Sequence, residues 1–417
     1  QEPVYFDSAQ IEKTKNNLTN YLKKEGYFDA EVRYTTSIKG KYGKVEYTAI
    51  PKQQYFFRDV TYEIREPEIS IFLSDSWNKS VLKRGKVVSD LNYQLEKNRI
   101  SDILFNNGYY FFDPSLIGPL IADSIGHEVN VAFRMNETDD RKVVQRYKIG
   151  RVNIHSDFDQ NYSKLYNLDT TINNYRFLQI SPRFRVKPST ILRYIYLKSG
   201  DYYSKANFTR TYRQLNRLGL FRYINVNQTI DDIDTTLLNV DLYLPPAKTL
   251  DISYNLDFGY VNLRTSAVAI PATILGQVGA SVIKRNLFNG GEALRTNASA
   301  GYETSFNKAV NRIDLKLHNS LSFPRFMDFL GIVSGLKRVK TSKGPLLPKS
   351  FIETLEDRVT TNITMDFEYN NFKDWYKYYN LNGSYGFDVI QDNEHQYRWN
   401  HLGINYFKPT VFSLYSQ

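Results

Sequence analysis

The 417-residue sequence contains no cysteine, only three methionines and three tryptophans, and no long hydrophobic run. Without cysteine, this chain can form no disulfide framework, no thiol nucleophile and no cysteine-ligated zinc site. No stretch approaches the roughly 20 consecutive apolar residues that a membrane-spanning helix needs. If the protein crosses a membrane, strands must carry it across.

Signals of catalysis and of nucleic-acid binding are also scarce. Neither a Gly-x-Ser-x-Gly elbow nor a phosphate-binding loop occurs. The net charge is +10, but Lys and Arg are spread along the chain with no basic helix or arm, which argues against nucleic acid as a partner. The five histidines do not show the spacing of metal ligands on a predicted helix; they are His127, His155, His318, His395 and His401. We therefore expect no enzyme activity, no catalytic residues, no cofactor and no metal site.

Aromatic residues, by contrast, are abundant: the chain has 33 Tyr and 26 Phe, and aromatics make up 15% of it. A tyrosine ring has an apolar body and a hydroxyl that needs a polar partner. Such an excess of tyrosine is typical of membrane interfaces and of binding faces.

A short pattern occurs three times in the first half of the chain. It reads Leu-x-x-x-Gly, followed by large apolar residues, and its glycines are Gly26, Gly108 and Gly219. The leucine lies one helical turn before the glycine on the same face, and the glycine stands where a helix C-cap needs left-handed backbone. We predict that the three glycines are structural caps. Three small α/β modules follow from this spacing, at 1–52, 53–143 and 144–246.

Periodicity and turn residues place elements within these modules. The first has a helix with Ser8 as N-cap and a hairpin at 31–37 and 44–50; it lacks an opening strand and first helix, so we expect the chain to begin inside it. The second has predicted strands at 55–64 and 127–135 and helical segments around 76–82 and 88–106. The third has predicted strands at 147–155, 222–227 and 237–244, with helices at 189–196 and 204–217 after an irregular stretch.

From about Leu250, within a last domain at 247–417, apolar and polar residues alternate with a period of two. Leu250, Ile252, Tyr254, Leu256, Phe258 and Tyr260 would share one face, opposite Asp251, Ser253, Asn255 and Asp257. Seven strands are predicted, at 251–260, 277–284, 294–302, 313–321, 361–370, 379–388 and 399–407. Their length is close to the roughly 9–11 residues that cross a bilayer, and Tyr and Trp collect near their ends. These features favour a transmembrane barrel over the alternative, a soluble sandwich.

The order strand–helix–helix–strand–strand, with Leu-x-x-x-Gly ending the second helix, resembles the polypeptide-transport-associated (POTRA) domain. Gly-Leu-Phe-x-Tyr at 219–223 is similar to the helix-to-strand joint of the last POTRA domain, and 283–292 is similar to the short periplasmic turn after the second barrel strand. Over nearly its whole length the chain resembles the BamA/TamA outer-membrane insertase superfamily. The opening at 2–8 and the tyrosine-rich strands are most similar to TamA-like proteins of Bacteroidota. An unrelated α/β repeat used as a scaffold is the competing interpretation of the modules.

This resemblance implies α+β POTRA repeats followed by an antiparallel transmembrane β-barrel, located in the outer membrane with the N-terminal modules in the periplasm. It implies a protein assembly, insertion or translocation factor. The strand at 250–261, with its six alternate residues, would form one side of a lateral seam and pair with an incoming strand.

The implied partners are the outer-membrane bilayer, unfolded outer-membrane protein clients, and a periplasm-spanning TamB-like partner or accessory lipoproteins. One alternative is a two-partner-secretion transporter, against which three modules argue because that family usually has two. The other is a non-catalytic scaffold for an envelope-spanning complex.

The sequence departs from the family in barrel size, because it supplies seven of about sixteen strands that a closed barrel of this kind would have. Since an open sheet leaves edge groups unpaired in lipid, and since the chain starts at Gln1 without Met, we expect a processed or truncated polypeptide. Parity predicts that 262–275 is extracellular and that 286–291 and 323–356 are periplasmic. The last of these is expected to be an ordered insert against the barrel rim, with a partner or lipid-headgroup site as the alternative.

Overall fold

A computed structural model describes residues 7–40, 42–159, 166–261, 273–305, 308–341, 344–348, 351–352, 355, 359–373, 375–390 and 396–411. The chain forms two compact units. The first is Gln1–Gly150 with Lys198–Phe208 and Thr229–Asn239, and the second is Arg151–Leu197 with Thr209–Gln228 and Val240–Gln417. None of the helices in the described ranges is long and apolar enough to cross a membrane.

The first unit opens with a helix and a hairpin: α1 (Ser8–Lys24), β1 (Glu31–Lys39) and β2 (Tyr42–Ile50). The N-cap is Asp7 rather than Ser8, since the Asp7 carboxylate accepts a hydrogen bond from the Ala9 N–H at 2.9 Å. The two strands pair antiparallel from Glu31 opposite Ile50 to Lys39 opposite Tyr42, as the hairpin prediction requires.

The next elements form a sheet covered by helices: β3 (Phe56–Glu63), α2 (Pro67–Asp75), α3 (Asp90–Asn106), β4 (Ile121–Ile125), β5 (Glu128–Arg134) and α4 (Arg141–Val144). The strand order is β3-β5-β4, with β3 parallel to β5. The helix predicted at 76–82 was wrong, because Pro67 starts the helix earlier and only one 3₁₀ turn, Trp77–Lys79, follows it. Strand β4 was missed because all five of its residues are exposed and so show no alternation.

The third group of elements comprises β6 (Lys148–His155), β7 (Leu168–Ile172), β8 (Tyr175–Gln179), α5 (Pro188–Leu192), α6 (Lys205–Arg217), β9 (Asn225–Ile230) and β10 (Leu237–Tyr243). The sheet order is β7-β8-β6-β10-β9. The predicted irregular stretch is in part a hairpin. Asn173 and Asn174 join β7 to β8 with φ of 51° and 66°, the left-handed pair that a tight two-residue hairpin turn requires.

The remaining elements are β11 (Leu250–Val261), β12 (Thr273–Arg285), β13 (Ala293–Ser305), β14 (Lys308–Phe323), α7 (Ile332–Arg338), β15 (Lys340–Thr341), β16 (Gly344–Pro345), β17 (Val359–Phe372), β18 (Tyr376–Ile390) and β19 (Gln396–Val411). Seven of them make one antiparallel sheet in the order β11-β12-β13-β14-β17-β18-β19. The seven predicted strands are thus confirmed, and they are longer than predicted, from 12 residues in β11 to 16 in β19. The segment predicted as extracellular at 262–275 lies mostly outside the described residues.

The register of this sheet separates an apolar face from a polar face. One row across all seven strands reads Tyr254, Ala280, Ala298, Leu317, Phe367, Leu381 and Tyr406. The adjacent row reads Ser253, Ser281, Asn297, His318, Asp366, Asn382 and Asn405. Tyr254 is 80% exposed and Phe367 37%, so the apolar face is open to its surroundings. An apolar face opposite a polar face is the alternation typical of a membrane barrel wall.

Candidate functional site at the edge strand

Strand β11 is an edge of the seven-stranded sheet. Among the described strands it pairs with β12 alone, from Leu250 opposite Lys284 to Val261 opposite Thr273. Its other side therefore presents backbone N–H and C=O groups without a strand partner in the described part of the chain. The six residues predicted for the seam lie on the apolar face, and all are exposed: Leu250, Ile252, Tyr254, Leu256, Phe258 and Tyr260.

One end of β11 is held to β12 by a hydrogen bond and an ion pair of Arg285, which together we call the tie. The Arg285 N–H donates to the Thr249 carbonyl at 2.7 Å, and the Arg285 guanidinium pairs with the Asp251 carboxylate. The same end of the sheet carries the turn after β12 and the residues after β14. We call it the module end, because helices of the third module contact it within the second unit.

The middle of the β11–β12 pair is rich in glycine. Gly276 lies opposite Phe258, Gly279 opposite Asn255, and Gly259 opposite Leu275. A Cβ on Gly279 would lie 2.2 Å from the Asn255 amide oxygen, so no larger side chain fits there without a shift. Since cross-strand side-chain pairs stabilise sheets, these positions give the pair less support than two packed side chains would.

The turn between β12 and β13 is built around a buried carboxylate. Glu292 is buried, and its carboxylate accepts from the backbone N–H of Gly290 at 3.0 Å and of Phe288 at 3.3 Å. Arg325 approaches the same carboxylate at 3.6 Å. A Cβ on Gly290 would overlap the Glu292 carboxylate, so a larger residue there would displace it from these hydrogen bonds. The turn is thereby fixed in one shape.

The third module holds the module end through hydrogen bonds inside the second unit. The Lys187 N–H donates to the Asn289 carbonyl at 2.9 Å, and the Asn286 amide donates to the Arg185 carbonyl at 2.7 Å. The Arg217 guanidinium donates to the Thr360 hydroxyl at 2.7 Å. Burial lowers the pKa of the Arg217 guanidinium, while the nearby Tyr194 and Asp388 partly offset this.

These contacts were not predicted from the sequence. They join residues more than a hundred positions apart, and no local pattern encodes such pairs. The segment at 283–292 was singled out only for its resemblance to a family turn. Its Asn-Gly-Gly-Glu sequence, with Asn289 and Gly291 at φ of 60° and 87°, is the local signal of a constrained turn.

The three predicted cap glycines all have positive φ: 90° at Gly26, 102° at Gly108 and 62° at Gly219. In the first two copies the N–H after the glycine donates to the carbonyl of the motif leucine, from Tyr27 to Leu22 and from Tyr109 to Leu104. This is the six-to-one bond of a Schellman cap, and it accounts for the spacing of the motif.

The histidines lie in different surroundings. Buried His155 lies 3.0 Å from the Asp241 carboxylate and 2.6 Å from the Tyr166 hydroxyl, and its hydrogen bond lowers the pKa of Asp241. His318 pairs with Asp366 on the polar face of the sheet, and His395 lies outside the described residues. In the ranges that the structure describes, no three His, Asp or Glu side chains gather as metal ligands.

Comparison with known proteins gives three kinds of similarity. Residues 1–67 match the POTRA family, described as a surface antigen variable number repeat. A putative outer membrane protein assembly factor of Treponema pallidum (strain Nichols) is 20% identical over 306 residues, covering 72% of this chain and 31% of that protein. The chain thus spans about a third of the length of this curated relative.

Among solved structures, BamA from Haemophilus ducreyi lacking POTRA domains 1–3 is 11% identical, with 85% of this chain and 71% of that chain covered and a TM-score of 0.36. CdiB from Escherichia coli is 10% identical, with 96% and 58% covered and a TM-score of 0.34. The POTRA match and the curated relative confirm the predicted resemblance to the BamA/TamA superfamily. The described elements, α/β modules followed by one antiparallel seven-stranded sheet, agree with the predicted fold class. The relative is named as a putative assembly factor. The narrower likeness to proteins of Bacteroidota stays a prediction.

Proposed function

We propose that this chain, which resembles outer-membrane assembly factors that carry POTRA domains, assembles or translocates outer-membrane proteins. It lies in the outer membrane, with its N-terminal modules in the periplasm. The observation that carries the proposal is edge strand β11, whose apolar side chains are exposed and which pairs on one side only among the described strands.

The mechanism we infer is strand pairing. A client strand in lipid must satisfy its backbone groups, since water is not available there. The free side of β11 offers N–H and C=O groups in the spacing of a strand, so a client can pair with it as it enters the bilayer. Residues Leu250, Ile252, Tyr254, Leu256, Phe258 and Tyr260 would face lipid during this step.

The domain plan is part of the proposal: POTRA-like modules at 1–52, 53–143 and 144–246, and barrel strands at 247–417. The modules would bind unfolded clients or accessory proteins in the periplasm. Strand β4 supports this role, since it is an exposed edge strand, and exposed edges accept extended peptides. Among accessory partners, a TamB-like bridge and lipoproteins are the ones that we propose.

Site-specific photocrosslinking in the full-length protein tests strand pairing. A crosslinkable residue replaces Tyr254 in β11 or, as the matched control, Leu317 in the central strand β14. Both side chains are exposed on the apolar face and lie in the same row of the sheet. We expect newly made barrel proteins to crosslink at position 254 and not at 317.

Equal crosslinking at the two positions would refute pairing at β11. Normal assembly of barrel proteins after depletion, with loss of a single secreted protein, would instead indicate a two-partner-secretion transporter. Normal assembly with loss of an envelope-spanning complex would indicate a scaffold.

A further inference from the structure

We call residues 323–339 the rim segment, and its first half lies on the apolar face of the sheet at the module end. The Phe326 ring packs on Phe387 with centroids 4.9 Å apart, and the Phe329 ring packs on Tyr385 at 5.7 Å. Tyr385 belongs to the apolar face, because it pairs with Ile363. The rim segment therefore covers part of the apolar face of the sheet and not its polar face.

Hydrogen bonds fix the first half of the rim segment to two strands. The Tyr385 hydroxyl donates to the Met327 carbonyl at 2.6 Å and accepts from the Phe329 N–H at 3.3 Å. The Thr361 hydroxyl donates to the Arg325 carbonyl at 2.9 Å and accepts from the Met327 N–H at 2.8 Å. Thr361 is fully buried by this contact. The segment is thus held at one height on β17 and β18.

The second half exposes apolar side chains next to cations. Helix α7 follows Gly331, and the Asp328 carboxylate accepts from the Ser334 N–H at 2.6 Å. Burial raises the pKa of Asp328, but the N–H donors of α7 hold it below its ordinary value. Lys337 and Arg338 are exposed at the end of α7. The exposed apolar residues are Phe329, Leu330, Ile332, Leu336 and Val339.

This exposed surface meets the apolar face of the sheet at Phe329, whose ring packs on Tyr385. Beyond buried Thr361, the next residues of β17 on the same face are Ile363, Met365 and Phe367, and all three are exposed. If the sheet spans the bilayer, the rim segment lies where the apolar face begins, which is the level of the lipid headgroups. Apolar side chains beside Lys and Arg are typical of segments that lie in this interface.

We propose that the rim segment is a membrane-surface anchor. Its exposed apolar side chains enter the headgroup–acyl boundary of the periplasmic leaflet, and Lys337 and Arg338 bind the phosphate groups of anionic phospholipids. The anchor rests on the proposed function, since it requires the seven-stranded sheet to lie in a bilayer. It would fix the depth of the module end, and with it the height at which β11 meets lipid.

Fluorescence quenching by lipid tests the anchor in the full-length protein. A single accessible cysteine is placed at Leu330→Cys, where the side chain is 50% exposed, and labelled with a polarity-sensitive dye. Two matched positions are Tyr254→Cys in the apolar face and Ile233→Cys, 96% exposed in a loop of the modules. The protein is reconstituted in nanodiscs with spin-labelled lipid, with the label placed either near the headgroup or deep in the acyl chain.

We expect the dye at 330 to be quenched more by the shallow label than by the deep one, because interfacial helices enter only about 5–10 Å. The dye at 254 should be quenched by lipid, and the dye at 233 only by aqueous iodide. The anchor would be overturned if iodide quenched the dye at 330 as strongly as the dye at 233 and lipid still quenched the dye at 254. In that case the sheet would lie in the bilayer and the rim segment would lie in water. Absence of lipid quenching at 254 would overturn the membrane location itself, and with it both proposals.

A second comparison tests whether the anchor requires anionic lipid. Shallow-label quenching at 330 should be several-fold stronger in nanodiscs containing phosphatidylglycerol than in phosphatidylcholine alone, because anionic headgroups attract Lys and Arg near the surface. The double substitution Lys337→Gln and Arg338→Gln should remove this difference. Equal quenching in the two lipids with the native residues would overturn the role of the cations.

Discussion

Replacing the capping glycines by alanine should have unequal effects, although Gly26 and Gly219 both have left-handed backbone, with φ of 90° and 62°. At either position an alanine meets left-handed strain of about 1–2 kcal/mol. At Gly26 the new Cβ would also lie 2.7 Å from Val87 Cγ1 and 2.8 Å from the Val88 carbonyl oxygen. At Gly219 nothing lies within 4 Å of that Cβ. Overpacking of this kind costs about 1–3 kcal/mol more.

The local free energy of opening should therefore fall by about 2–5 kcal/mol for Gly26→Ala and by about 1–2 kcal/mol for Gly219→Ala. In amide hydrogen exchange, each 1.4 kcal/mol is about a tenfold change, so protection in α1 should fall by about 30-fold or more and in α6 by about 5- to 30-fold. The first module buries few apolar residues, among them Ile11, Ala30 and Val32. A loss of this size should therefore unfold α1 together with the β1–β2 hairpin.

Hydrogen exchange with mass spectrometry on the full-length protein measures both variants under one condition. Gly85→Ala is the control for strain outside a helix cap, because Gly85 has φ of 79° and an open Cβ position. It should behave like Gly219→Ala. An equal or smaller loss of protection for Gly26→Ala than for Gly219→Ala would refute the reasoning, since steric crowding would then contribute nothing.

The second module should be sensitive to acid and to loss of its buried carboxylate. Burial raises the pKa of Glu96, but bonds from the Arg99 guanidinium, at 2.5 Å, and from other donors lower it overall. Because the folded pKa is depressed, the stability from Glu96 is present above the ordinary pKa of a glutamate and is lost as pH falls through the folded pKa. Glu96→Gln should destabilise the module by about 3–5 kcal/mol at neutral pH, since it leaves Arg99 without its ion pair. Near-UV circular dichroism during urea unfolding, at neutral and at acidic pH, checks the acid sensitivity and the effect of the substitution. A midpoint unchanged by Glu96→Gln would contradict the ion-pair argument, and a midpoint unchanged by acid would contradict the acid sensitivity.

Alternation with a period of two predicted the seven long strands because one face of that sheet is apolar and the other is polar along most of each strand. The same rule failed for β4, where every residue is exposed, and for β7, where the Asn173–Asn174 turn was the usable signal. Helix α2 was misplaced because Pro67 was not given its role as a helix start. Local rules of this kind carry no information on pairs such as Lys187 with Asn289, which depend on the packing of distant elements.

The tie at the module end also predicts the direction in which the β11–β12 pair can open. Arg285 bonds to Thr249 and Asp251 at that end, whereas glycines weaken the middle of the pair. Separation should therefore begin at the Val261 end and proceed toward the tie.

Two engineered disulfides test this direction. One joins Ser253→Cys to Ser281→Cys near the tie, and the other joins Asp257→Cys to Gln277→Cys farther along; both pairs are directly opposite and on the same face. We expect oxidation of the far pair to block assembly of barrel proteins and oxidation of the near pair to leave most of it, with activity restored by reduction in each case. Equal inhibition by the two disulfides would mean that the whole strand must separate, and the tie at Arg285 would then be an interaction that breaks in every cycle rather than a fixed hinge.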